Sequence, residues 1–142
     1  MRTVKARFEL FDHTADMGVR VVAPSRAALV EPAVQGLYAV LGQLVAGAGS
    51  EPLPFAATDA EVPVLLRDFL ADMLRLFETR RRMVTAVRVD TFDESRLSLT
   101  AETADVDESR SVLEREVKAI TYHGLDVRTV PGGYEATFIV DI

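Results

Sequence analysis

The chain has no cysteine, and just two of its sixteen basic residues, Lys5 and Lys118, are lysines. The first absence excludes disulfides, thiol catalysis and thiolate metal sites. It also lacks a surplus of positive charge. The formal net charge of −6 argues against a generic nucleic-acid binder, which would carry a basic excess. No apolar run approaches membrane-spanning length, and Met1-Arg2-Thr3-Val4-Lys5 has no signal-peptide core, so a cytoplasmic location is expected. Neither Gly47-Ala48-Gly49 nor Gly132-Gly133 is followed by the helix and lysine of a phosphate-cradling loop. A serine-nucleophile elbow and a zinc-type histidine pair are missing too. By its chemistry this is not a self-sufficient enzyme.

What is present describes a folded chain. With 142 residues, 49% of them hydrophobic and 27% charged, residues 1–142 suit one globular domain with a sizeable core. Phe8–Phe11 and Gly18–Ala23 read as strands, the second placing Val19 and Val21 on one face, with Asp12–Met17 as the connecting loop. From Ser25, a candidate cap, Leu29, Ala33, Leu37, Leu41 and Leu44 keep a helical period; Pro32 predicts an irregular or late helix start. A loop over Gly47–Pro54 leads toward a brief edge strand at Phe55. Thr58 and Glu61 have capping-box spacing, Pro63 suits a first turn, and Val62, Leu66, Phe69, Met73 and Leu76 trace a long helix. Arg80-Arg81-Arg82 reads as a solvated helix end, where positive charge complements the macrodipole. Val84–Phe92 and Leu97–Thr103 predict a hairpin. Val112–His123 predicts a third, shorter helix, with strand as the alternative, and Leu125–Val130 with Tyr134–Ile142 a closing hairpin. The expected class is α+β: a single domain whose mixed β-sheet, with hairpins, packs against two main helices and one shorter helix.

Three clusters carry candidate chemistry. After the strand-like Tyr134–Val140 run, the Asp141 side chain and the Ile142 α-carboxylate stand side by side. Apolar residues persist to the last position, so this end is expected to be docked rather than frayed. The Asp12-His13-Thr14-Ala15-Asp16 turn could complete an oxygen-ligand site for a hard divalent cation, although spacing alone favours a solvated acidic end. His13 and His123 invite general-base or metal roles, against the commoner one of a hydrogen-bonding side chain. Lys118, a minority choice among fourteen arginines, can meet a phosphate or carboxylate as a point charge.

Phe11-Asp12-His13-Thr14-Ala15-Asp16-Met17-Gly18, Leu65-Leu66-Arg67-Asp68-Phe69-Leu70, Val117-Lys118-Ala119-Ile120-Thr121-Tyr122-His123 and the terminal Asp141-Ile142 together resemble the archease family, in its order and over the whole chain. The resemblance implies a small α+β protein that assists the GTP-dependent RNA-splicing ligase. That ligase joins 3′-phosphate or 2′,3′-cyclic-phosphate ends to 5′-hydroxyl ends in tRNA splicing and RNA repair. Archeases promote guanylylation of the ligase and its turnover without forming the intermediate themselves, and so meet RNA only indirectly. It further implies a divalent cation, calcium favoured with magnesium or manganese as alternatives, on Asp16, Asp141 and Ile142, and a functional role for Lys118. Pro32, Gly36, Pro63 and Ala101-Glu102 depart from the usual pattern but leave these positions intact. Rival classes are a metal-dependent phosphoester hydrolase, with His13 as base, and a general chaperone or interaction module.

Overall fold

The structure, a computed structural model, describes residues 3–142. Strands β1 (Arg7–His13) and β2 (Asp16–Ala23) are followed by helix α1 (Val30–Leu41), the two-residue β3 (Gly42–Gln43) and β4 (Glu51–Thr58). Helix α2 (Val62–Arg80) leads into β5 (Arg82–Phe92) and β6 (Arg96–Asp105). Short strands β7 (Val112–Leu113) and β8 (Ala119–Ile120) precede the closing pair β9 (Asp126–Val130) and β10 (Gly133–Asp141). Every pairing is antiparallel. β1, β2, β10 and β8 lie side by side with β9 also on β10, while β4, β6 and β5 form a second sheet and β3 with β7 a small ribbon. The α+β class stands, and its sheet content is divided among these three units.

The last strand therefore lies inside the first sheet. Its inward positions, Ala136, Phe138 and Val140, alternate with outward ones and join Val19, Val21 and Ala23 of β2 in the core, as a two-residue period dictates. The two helices cover that face. α1 lies close enough to β2 that a Cβ on Gly36 would come within 2.5 Å of Val19 Cγ1, which accounts for a glycine inside a helix. Pro32 falls in the first turn, where its missing N–H has no intrahelical acceptor to serve. A 3-10 turn at Ala27–Leu29 precedes it, and Ser25 Oγ accepts the Ala28 N–H at 3.1 Å. The irregular start expected before Pro32 is thus present, but the helix stops at Leu41 and leaves Leu44 outside. α2 buries Leu66, Phe69, Met73 and Phe77 as its spacing requires.

Five expectations change. Asp12–Met17 is not a loop: both strands run through it, leaving Thr14-Ala15 as the turn. The Thr58–Glu61 capping box does not form, because Thr58 ends β4 and the N-cap Glu61 makes no side-chain cap. β4 is a full eight-residue edge strand instead of a brief one. Val112–His123 is not a helix. Its amides are spent elsewhere: Glu114 and Arg115 donate to the Leu41 carbonyl, Lys118 to Asp141 and Thr121 to Ile139, so no i to i−4 ladder is available. Arg82 also departs from the solvated helix end. It is 6% exposed, and its guanidinium donates to Asp105 Oδ1 at 2.8 Å, to the Gly49 carbonyl at 2.6 Å and to Thr103 Oγ1 at 3.0 Å. The charge is held by a full set of acceptors, which is the condition for burying it.

Candidate functional site

The β1–β2 turn puts His13 directly across from Asp16. Thr14 closes it at φ +52, in the left-handed region that β-branched residues avoid at a cost of about 1–2 kcal/mol. Two residues before His13, the Phe11 ring covers Gly18 so closely that no side chain could stand there. On the other side of β2 the register runs to Met17↔Val140, so Asp16 and Asp141 are the next residues of two neighbouring strands. Both are half-buried, and neither side-chain carboxylate has a hydrogen-bond or ion-pair partner among the described residues.

The chain end is docked, as its apolar residues suggested. Ile142 packs against the core, and Asp141 is held on its other flank by β8, opposite Ala119. There the Lys118 N–H donates to the Asp141 carbonyl at 2.8 Å. Lys118 and Asp141 are thus joined through the main chain. Lys118 itself is exposed, has no ion-pair partner among the described residues, and borders a cavity of about 250 Å³ with Arg67, Arg75 and Glu78 of α2. Arg67 Nε donates to the Ile120 carbonyl at 3.0 Å and its guanidinium lies 4.4 Å from the Tyr122 ring centroid, which fixes the strand that follows the lysine.

One meeting is not legible in the sequence. The His13 and His123 rings stand 5.6 Å apart, tilted by 56°, because β10 brings the first turn and the residues after β8 to the same end of the sheet. His13 Nδ1 is buried and unpartnered among the described residues. Asp12 stays exposed on the strand. Asp107, in the acidic loop after β6, is occupied locally: Ser109 and Arg110 donate to it and hold its carboxyl down at about 2, below the usual 3.8.

Among the described residues, no three His, Cys, Asp or Glu side chains converge in a group able to hold a metal ion. A cation at Asp16 and Asp141 would take its third protein ligand from the α-carboxylate of Ile142. All three donors are hard oxygens, the set that suits calcium, magnesium or manganese.

The chain is a small antiparallel α+β protein of two helices, whose last strand enters beside the first hairpin and brings Asp16, Asp141 and the main chain of Lys118 to one end of the sheet. The model of the Archease protein family matches residues 8–142. The chain belongs to the archease family. It is 28% identical over 140 residues to the protein archease of Methanosarcina barkeri, covering 96% of each chain. It superimposes on the solution structure of protein 1598 from Methanobacterium thermoautotrophicum with a TM-score of 0.75, at 25% identity and over 95% and 98% of the two chains. The crystal structure of a Thermotoga maritima archease, named as a possible chaperone, matches in fold with a TM-score of 0.71, at 18% identity and over 94% and 96%. Among the described residues no helix is long and apolar enough to cross a membrane.

Proposed function

We propose that this archease is a protein cofactor of the GTP-dependent RNA ligase that joins 3′-phosphate or 2′,3′-cyclic-phosphate ends to 5′-hydroxyl ends. It acts in the cytoplasm, in tRNA splicing or RNA repair, promoting guanylylation and multiple turnover of the ligase while forming no covalent intermediate itself. The observation that carries this reading is family membership over residues 8–142 together with the meeting of Asp16, Asp141 and Lys118 at one end of β10.

In this reading Asp16, Asp141 and the Ile142 α-carboxylate hold a divalent cation, calcium favoured, which when bound supplies a compact positive charge for phosphate or carboxylate oxygens. Asp16 and Asp141 present their oxygens from adjacent strand ends, so the sheet register fixes their spacing. Lys118 is tethered at its own amide, leaving the ammonium free to neutralise nucleotide phosphate charge or orient a ligase carboxylate. RNA is reached through the ligase only.

A guanylylation time course of the cognate ligase, with and without substoichiometric archease, tests this. Faster label uptake with several ligase turnovers per archease is expected, and an unchanged rate overturns the reading. A general chaperone is the second reading, favoured by the half-exposed Val112 and Leu113. It predicts suppressed aggregation of unrelated clients, without selective stimulation of the ligase.

A further inference from the structure

The large hydrophobic side chains that stand exposed among the described residues are Val112 (52%), Leu113 (48%) and Tyr122 (62%). All three lie on the strap that runs from β7 past β8 and carries Lys118. Single exposed apolar residues are ordinary on a protein surface; their confinement to one strap is not. Leu113 opens onto a cavity of about 540 Å³ against the C-terminal half of α2, where Leu41, Leu74, Phe77 and Val117 supply apolar lining.

The rim of this cavity is charged, and its two signs are not equally free. Arg115 donates to the Val40 carbonyl at 3.2 Å and lies 3.7 Å from Glu114. Arg81 stands 3.7 Å from Glu108, with its guanidinium 4.6 Å from the Phe77 ring centroid. Glu78 and Glu116 have no ionic partner among the described residues. The available charge on the rim is therefore negative. Leu74 and Glu78 also line the smaller cavity beside Lys118, so the two cavities adjoin along α2 and together make a groove on the lysine's side of the helix.

We propose that this groove is the surface on which the ligase docks, and that it accepts a ligase segment presenting an apolar side chain flanked by lysine or arginine. The assignment rests on the preceding reading, in which Lys118 meets the ligase. The apolar side chain seats on the leucine and phenylalanine lining, Leu113 borders it, and the flanking cations pair with Glu78 and Glu116. A central apolar anchor supplies most of the affinity in such an arrangement, whereas the charged rim governs orientation, association rate and salt dependence.

Binding of full-length archease to purified cognate ligase, measured by calorimetry beside the guanylylation assay, tests the docking surface. Val112→Asp with Leu113→Asp, and separately Glu78→Lys with Glu116→Lys, should each raise Kd at least about tenfold, while Glu94→Lys in the β5–β6 turn should leave it within about twofold. High salt should narrow the gap between wild type and the glutamate pair. Should the aspartate pair lower the melting temperature, the exposed glutamate pair decides. Wild type that binds and stimulates the ligase, with groove variants that bind equally well, overturns the docking surface alone. Wild type that neither binds nor stimulates the ligase overturns both proposals.

Discussion

Asp16→Asn should reverse the order of stability between variant and wild type when a divalent cation is added. Without the ion, Asp16 and Asp141 are like charges on neighbouring strand ends, a pairing that costs about 0.2–1 kcal/mol, so the neutral amide should melt at or slightly above wild type. With the ion at about 100 times its Kd, binding to the folded chain alone contributes about 2.7 kcal/mol. Unfolding entropy for 142 residues is about 0.3 kcal/mol per kelvin, so wild type should gain about 9 °C. Asp16→Asn should gain much less, because it exchanges a charged ligand for a weak amide oxygen. A single glycine added after Ile142 should act similarly, since it turns the α-carboxylate into an amide. Differential scanning calorimetry with calcium, magnesium and manganese reads all of this, with Glu94→Gln, in the exposed β5–β6 turn, as a control for non-specific charge effects. If wild type and Asp16→Asn gain the same number of degrees, no cation is shared between these carboxylates and the reasoning fails.

Lys118→Ala should melt within roughly 0.5 kcal/mol of wild type and keep its cation-induced shift, yet fail to accelerate guanylylation; Lys118→Arg should rescue only partly, because the guanidinium is broader and planar. Burial pushes the Tyr38 hydroxyl from 10 to about 12, so the folded chain holds that proton more tightly than the unfolded chain. The stability this contributes is complete below pH 10 and is lost as pH rises toward about 12, about 3 kcal/mol in all, and alkaline denaturation followed by circular dichroism should show it. Tyr38→Phe should remove that alkaline loss while costing about 1–3 kcal/mol at neutral pH, because the Val84 N–H loses the hydroxyl it donates to at 2.8 Å. Naked RNA should not bind with submicromolar affinity at physiological salt in a gel-shift assay, given a net charge of −6 and an Arg82 already enclosed by acceptors.

The parts of the fold that were legible are those in which periodicity and burial agree. The α2 stripe, the β5–β6 hairpin and the β9–β10 hairpin each bury the face that their spacing marks. The misread segments carry a period that burial does not follow. Leu113, Val117 and Ile120 keep helical spacing, but Leu113 is half exposed and the amides around it find acceptors on α1 and β10. Asp12–Met17 reads as a loop because polar residues occupy the ends of two strands that run on to His13 and start at Asp16. Arg82 was hidden for a different reason: its acceptors come from residues 49, 103 and 105, and no local pattern announces that set. For the candidate site, the docked end is announced by the apolar residues that run to Ile142, whereas the nearness of Asp16 to Asp141 follows from the family resemblance and not from spacing. The tilted approach of the His13 and His123 rings is not announced in the sequence, since it depends on β10 standing between β2 and β8.

That central position of β10 ties the candidate site to the integrity of the fold. Asp16 reaches Asp141 only through the β2–β10 register, and Lys118 reaches it only through β8, so the unfolded chain offers no comparable grouping. A ligand bound there would bind the native state alone, which is the condition under which its free energy adds fully to stability. The local costs point to the same place. Thr14 sits in a backbone region unsuited to a β-branched residue, and His13 Nδ1 is buried without a partner among the described residues, both within one turn of Asp16. Of the two central turn residues, Thr14 and Ala15, just the first has positive φ, and a hairpin chosen for stability ordinarily places glycine there. Strained conformations of this kind persist where surrounding structure over-determines them, commonly at functional sites. Here the Phe11 ring on Gly18 and the full β1–β2 register supply that constraint, and what they hold in place is His13 opposite Asp16 at the mouth of the acidic end.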